Sequence, residues 1–193
     1  MTTPATPPSP DLFTVCVFCG SSLGDDPQFA AQARELGHRI AQARWSLVFG
    51  GGDVGLMGET ARAVSALGQP VHGVLPEFLQ QQERPMSHGE SLELTADLQS
   101  RKRRLLAMAD AFVLLAGGFG TLDEFFEVLT EAQLGVHSKP IILVDTADYY
   151  APLLALLEHV VRHGFARPES LAFVRRVPDV AAAIESLHQA AAP

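Results

Sequence analysis

The stretch Ala111-Phe112-Val113-Leu114-Leu115-Ala116-Gly117-Gly118-Phe119-Gly120-Thr121-Leu122-Asp123-Glu124 decides how this chain is read. Its first five residues form a short apolar run ended by glycines, the pattern of a strand buried inside a parallel sheet. Beyond the turn the apolar spacing becomes helical, and a helix is expected over Thr121 to Leu134. In a strand, glycine turn and helix taken together, successive amides and the positive end of a helix converge on one point. A phosphate suits that point.

The same alternation runs outward in both directions. Toward the N-terminus, Phe13 to Phe18 reads as a strand leading into the turn Cys19-Gly20-Ser21-Ser22, with a helix from about Pro27 to Ala43 after it. Ser46 to Phe49 is a strand closed by Gly50-Gly51-Gly52, followed by a helix from about Leu56 to Leu67 and a strand over Val71 to Leu75. Pro76 to Gly89 has no clear period and reads as a long loop, ahead of a weak strand at Ser91 to Thr95 and a helix over Leu98 to Ala109. Toward the C-terminus come a strand at Ile141 to Val144, a helix at about Tyr149 to His163, a last strand near Leu171 to Val174, and a helix over Val180 to Ala191. Such order implies parallel strands, right-handed crossovers and helices on both faces. The expected class is α/β, with one Rossmann-like, doubly wound and mainly parallel sheet that binds ligands at the carboxyl ends of its strands. Residues 12–193 read as a single nucleotide-binding catalytic domain behind a disordered tail, 1–11, rich in Pro and Thr.

Composition narrows the classes of partner. The 193 residues are 47% hydrophobic and 19% charged, as in a soluble globular protein, and 22 acidic against 14 basic side chains give a formal charge of -8. That balance argues against nucleic acid as a partner, yet a few oriented amides and one arginine can hold a small anion. No apolar run is long enough to span a bilayer and Met1 to Asp11 lacks the marks of a signal peptide, so no membrane partner and a cytoplasmic location are expected. Cys16 and Cys19 have no second pair to complete a zinc site, and strand alternation sends them to opposite faces, as buried small hydrophobes. The seven histidines show no paired metal-ligand spacing, and neither a metal nor a cofactor is called for.

Three turns follow predicted strands: Gly20-Ser21-Ser22-Leu23-Gly24, Gly50-Gly51-Gly52-Asp53-Val54-Gly55, and Gly117-Gly118-Phe119-Gly120-Thr121. A glycine in such a place serves either a tight turn or the close approach of backbone to an anion. Three at the carboxyl ends of strands favour a phosphate site, with Ser21, Gly51 and Gly117 to Thr121 as its candidate contacts. None continues into Gly-Lys-Ser or Gly-Lys-Thr, and none has dinucleotide spacing with a suitable acidic residue, so NAD is not expected.

Thr121 and Glu124 carry two readings. Thr-x-x-Glu is a capping box at a helix start; alternatively, if the amides hold a phosphate, Glu124 is released toward the ligand. Glu124, Glu127 and Glu131 share one side of the helix, a solvated stripe or a cleft wall. In the helix before it, Leu98, Leu105 and Ala109 mark an apolar stripe with Arg101 and Lys102 at its borders, while Arg103 and Arg104 point to water. Arg101 and Lys102 either snorkel past the core or reach the cleft to meet a phosphate or Glu124.

The segments Cys16-Val17-Phe18-Cys19-Gly20-Ser21-Ser22, Phe49 to Gly58, Arg101-Lys102, Gly117 to Glu124, and Ala132 to His137 with Lys139-Pro140 together resemble the Lonely-Guy family. These are the cytokinin riboside 5′-monophosphate phosphoribohydrolases, many of which carry an older label of lysine decarboxylase. The resemblance covers Val15 to about Val177. It implies hydrolysis of the N-glycosidic bond of a purine nucleoside monophosphate, with Arg101 and Glu124 as the catalytic pair. Substrate contacts are implied at Glu83, Lys102, Gly118 to Thr121 and Thr130, and a homodimer whose partner contributes to the site. A carboxylate beside C1′ would stabilise the oxocarbenium-like transition state and orient water. The chain departs from the family in having Ala116 before the double glycine and Leu98 and Gln99 ahead of Arg101, which bears on base recognition. A non-catalytic nucleotide or molybdenum-cofactor module would share the glycine turns. Decarboxylation by pyridoxal phosphate needs a Schiff-base lysine, and Lys102 and Lys139, the chain's two lysines, are poorly placed for it.

Overall fold

The computed structural model describes residues 12–80 and 91–192. Its seven strands form one sheet in the order β4-β3-β2-β1-β5-β6-β7, and every neighbouring pair is parallel. The strands are β1 (Thr14–Phe18), β2 (Ser46–Phe49), β3 (Val71–Pro76), β4 (Ser91–Thr95), β5 (Ala111–Leu114), β6 (Ile141–Val144) and β7 (Val174–Val177). The helices are α1 (Pro27–Gln42), α2 (Gly55–Ser65), α3 (Leu98–Met108), α4 (Phe119–Gln133), α5 (Ala151–Arg162) and α6 (Val180–Ala191). The doubly wound α/β architecture expected from the alternation is the one observed.

The core explains why the inner strands read as unbroken apolar runs. Every residue of β1, β2, β5 and β6 is buried, because helices cover both sides of the sheet. On one face Val15, Val17, Leu47 and Val113 pack against Leu36 and Ile40 of α1, Leu56 and Val64 of α2, and Ile184 and Leu187 of α6. On the other, Cys16, Phe18, Phe112 and Leu114 meet Leu105 of α3, Phe125 and Val128 of α4, and Leu153 of α5. Cys16 and Cys19 fall into opposite clusters as the alternation predicts, both as free thiols. Each fully buried Leu, Val or Phe side chain contributes about 1.5–3 kcal/mol of transfer free energy, offset by the ordering of the chain.

Topology places the functional end. Strands β1 to β4 step outward in one direction, whereas β5 returns beside β1 and β6 and β7 step the other way. The crevice of such a sheet opens at the carboxyl ends of β1 and β5, where the winding reverses. Pairing of Phe18 with Leu114 and of Val17 with Phe49 starts the three glycine turns level with one another.

Two expectations are corrected. Leu171 to Val174 is not a strand: Pro168–Phe173 forms a 3-10 helix and β7 begins at Val174. Pro168 sets the φ of that first turn and has no N–H to give a ladder. Leu98 is 45% exposed and lies outside the core, so the buried stripe of α3 is made by Leu105, Leu106 and the following Ala109. The Pro/Thr-rich tail at 1–11 and Glu83 lie outside the described residues.

Candidate active site

Helices α3 and α4 both follow strands, so both begin at the carboxyl rim of the sheet. Asp97 fixes the start of α3 by accepting a hydrogen bond from the Ser100 amide at 2.6 Å, and Arg101 stands one turn in. Helix α4 starts at Phe119 with Gly118 as its N-cap and no side-chain cap. Thr121 therefore sits inside the first turn rather than at the cap, and the capping-box reading of Thr121 and Glu124 is replaced. Thr121 is buried, its side chain packed against Gly117.

Arg101 and Glu124 meet between these helices. Arg101 Nη2 donates to Glu124 Oε1 at 3.0 Å, with only 13% and 10% of the two side chains exposed. Exclusion of water strengthens such a pair and fixes both groups. They line a cleft of about 350 Å³ together with Cys19, Gly20, Ser21, Gly50, Met57 and the Gly118–Thr121 turn. Cys19 has its thiol pushed up by burial and by the nearby Glu124 carboxylate, which keeps it a neutral wall.

The three turns prove to differ in kind. A side chain on Gly118 or Gly120 would meet nothing within 4 Å, so the backbone at the start of α4 borders open space where it lines the cleft. Gly117 instead packs on Gly20, whose amide donates to the Ala116 carbonyl at 3.0 Å and whose own carbonyl accepts from the Leu56 amide at 3.0 Å. Gly20 thus binds the first turn to the other two. Gly51, a candidate contact, is buried with a φ of +79° and does not line the cleft; a Cβ there would lie 3.0 Å from Leu92. Ser21 is exposed at the cleft's edge.

Lys102 does not meet Glu124. It is 7% exposed and pairs with Asp123 at 3.1 Å and with Glu127, forming a second rung between α3 and α4 beside the Arg101–Glu124 pair. Burial pulls its pKa down, but hydrogen bonds to Glu127 and Asp123 and their charges outweigh it and hold the ammonium above its ordinary value. The acidic stripe thus divides, with Glu124 facing the cleft and Glu127 facing Lys102. Arg104 is half-buried against Glu93, with bonds of 2.8 and 2.9 Å, rather than pointing to water. Thr130 is exposed on α4 and does not line the cleft.

Sequence patterns marked the turn and segment that hold Gly50 and Met57 but chose Gly51 as the contact, and did not reveal Tyr149 as part of this region. The Tyr149 hydroxyl donates to the Gly117 carbonyl at 2.6 Å, and its ring walls a second recess of about 270 Å³ that shares Gly20, Ser21 and Gly118 with the cleft. A contact across 32 positions leaves no trace in local spacing. His159 near the end of α5 and His163 at its C-cap stand 4.3 Å apart by ring centroid, a paired spacing that corrects the sequence expectation. No group of three or more His, Cys, Asp or Glu able to hold a metal occurs among the described residues.

Comparison with known proteins adds a family to this geometry. Residues 57–187 match the family model described as "Possible lysine decarboxylase". A cytokinin riboside 5′-monophosphate phosphoribohydrolase from Arabidopsis thaliana is 39% identical over 175 residues, covering 91% of this chain and 81% of the relative. One from Rhodococcoides fascians is 39% identical over 175 residues, covering 90% and 88%. Among solved structures, the molybdenum cofactor binding protein of Rippkaea orientalis superposes with a TM-score of 0.70 at 21% identity over 94% of this chain and 98% of its own. The Moco carrier protein of Chlamydomonas reinhardtii reaches 0.68 at 22%, over 93% and 97%. At such identity these two share the fold alone.

Proposed function

Because this chain belongs to the family of cytokinin riboside 5′-monophosphate phosphoribohydrolases and is an enzyme of that kind, we propose that it hydrolyses the N-glycosidic bond of a purine riboside 5′-monophosphate, a cytokinin nucleotide included. The observation that carries this reading is the buried Arg101–Glu124 pair at 3.0 Å, set beside the open start of α4. The amides of that helix start and its dipole receive the 5′-phosphate, with Ser21 at the edge. Binding energy from the phosphate holds the ribose so that C1′ lies against Glu124.

In the reaction the bond from C1′ to the base nitrogen breaks and its electron pair leaves with the base. Positive charge grows on C1′ and the ring oxygen, and the Glu124 carboxylate stabilises it and orients a water. The water oxygen bonds to C1′; of its two protons, one goes to the departing base and one stays on the new hydroxyl of ribose 5-phosphate. Arg101 holds Glu124 aimed through its 3.0 Å bond. Lys102 braces the two helices from behind.

The family reading also brings a homodimer. Thr130, a position where the resemblance implies substrate contact, lies outside its own chain's cleft, on the side of α4 that exposes Phe119 and Phe126. We assign the dimer contact to that side, which would carry Thr130 toward a partner's cleft; a monomer in sedimentation would refute it.

Release of free base from AMP and from isopentenyladenosine monophosphate, beside Glu124→Ala and Arg101→Ala, tests the activity. Release is expected from at least one substrate, with loss in both variants. No release from any purine monophosphate, or full activity in both variants, would overturn the assignment.

A further inference from the structure

We infer that Gly50 is a positioning residue for this reaction, the slot through which Arg101 reaches Glu124; the inference rests on the function proposed above. Gly50 follows β2, belongs to the second glycine turn and lines the cleft, unlike the neighbouring Gly51. A Cβ built on it would collide with Arg101 Nη2 and lie 3.2 Å from Cζ and 3.3 Å from Met57 Sδ. Nη2 is the atom that donates to Glu124. The Nη2 end of the guanidinium therefore abuts the Gly50 backbone, in space that any other residue would fill.

The backbone itself does not demand glycine at this position. Positive φ occurs at Gly51 and Gly55 but not at Gly50, so alanine is conformationally allowed there and its cost arises from Arg101. The planar fork of arginine has no slack to absorb a methyl group on one side while keeping its bond to Glu124. Displacing the guanidinium would disturb its bond to Glu124. Tyr149 and the third turn are untouched by the change.

Two mutant cycles test this with the full chain. In the first, Gly50→Ala is expected to lower kcat for AMP or isopentenyladenosine monophosphate by about 100-fold, the scale of a displacement of roughly 1 Å in a catalytic group, with KM unchanged. A rise in KM at constant kcat, or full activity, would overturn the inference. In the second cycle, urea unfolding is compared for wild type, Gly50→Ala, Arg101→Ala and the double variant. Gly50→Ala should lower the midpoint in the wild type and lower it far less once Arg101 is gone, because the clash leaves with the side chain. Equal losses in both backgrounds would refute the slot. The second cycle needs no activity: a wild type inert on every monophosphate would overturn the proposed function, while the stability coupling would still decide on Gly50.

Discussion

Replacing Lys102 by methionine separates two roles that its position allows. The side chain is nearly as long but uncharged, so packing is kept while Asp123 and Glu127 lose their cation. The two carboxylates will not suffer equally. Asp123 is 61% exposed and can turn to water, which limits its share to about 0–1 kcal/mol. Glu127 is 18% exposed and would keep an uncompensated charge between two helices, a loss on the scale of about 3 kcal/mol. With a urea m-value of about 3 kcal/mol/M, the midpoint should fall by about 1 M. Adding Glu127→Gln removes the stranded charge, and the double variant should recover most of the loss, to within about 1 kcal/mol of wild type. Urea unfolding followed by circular dichroism at one fixed protein concentration measures this. A double variant no more stable than Lys102→Met would refute the two-rung account. Base release by the double variant then decides the second role: a brace predicts activity restored with stability, whereas direct substrate contact predicts a stable but impaired enzyme.

Two further outcomes follow from particular contacts. At Gly37, where α1 crosses α2, an added Cβ would lie 2.5 Å from the Thr60 carbonyl oxygen and 2.6 Å from Ala63 Cβ. Overpacking of about 3 kcal/mol there exceeds the gain of about 1 kcal/mol in helix propensity, so Gly37→Ala should destabilise by about 2 kcal/mol; a rise in thermal midpoint would contradict it. Burial holds the pKa of His72 below its ordinary 6.5, and the Arg104 charge adds to this, against the opposing pull of Glu93. The folded state thus disfavours the imidazolium, and stability present above pH 6.5 should decline as pH falls below it, by up to about 1.4 kcal/mol per unit. His72→Gln should flatten that part of a stability-against-pH series, and an unchanged slope would dismiss the contribution.

Much of this molecule was legible along the chain because its signals are short in range. A parallel strand must be apolar on both faces, and a helix must repeat its apolar residues every three or four positions. Those rules recover the alternation and all but one strand without knowledge of any contact. They fail at β7, where Leu171 to Val174 has an apolar content that suits a strand as well as the 3-10 turn it largely forms. They also fail at Leu98, whose spacing fits the stripe although it lies beyond the area that the sheet covers.

Residue chemistry and spacing brought Arg101, Glu124 and the Gly118–Thr121 turn into view but left two readings of the arginine and the glutamate, and the family resemblance supplied their pairing. Tertiary packing had to assign what each one meets. Arg101 and Lys102 are adjacent in the chain and equally basic, yet a rotation of 100° along α3 sends one to Glu124 and the other to Asp123 and Glu127. The three glycine turns look alike as strings; only the packing of strands β2, β1 and β5 side by side leaves Gly118 and Gly120 open while Gly117 is closed against Gly20 and Gly50 lies beneath Arg101. Local pattern depends on the backbone's own period, whereas the vacancy beside a glycine depends on which distant side chain arrives there.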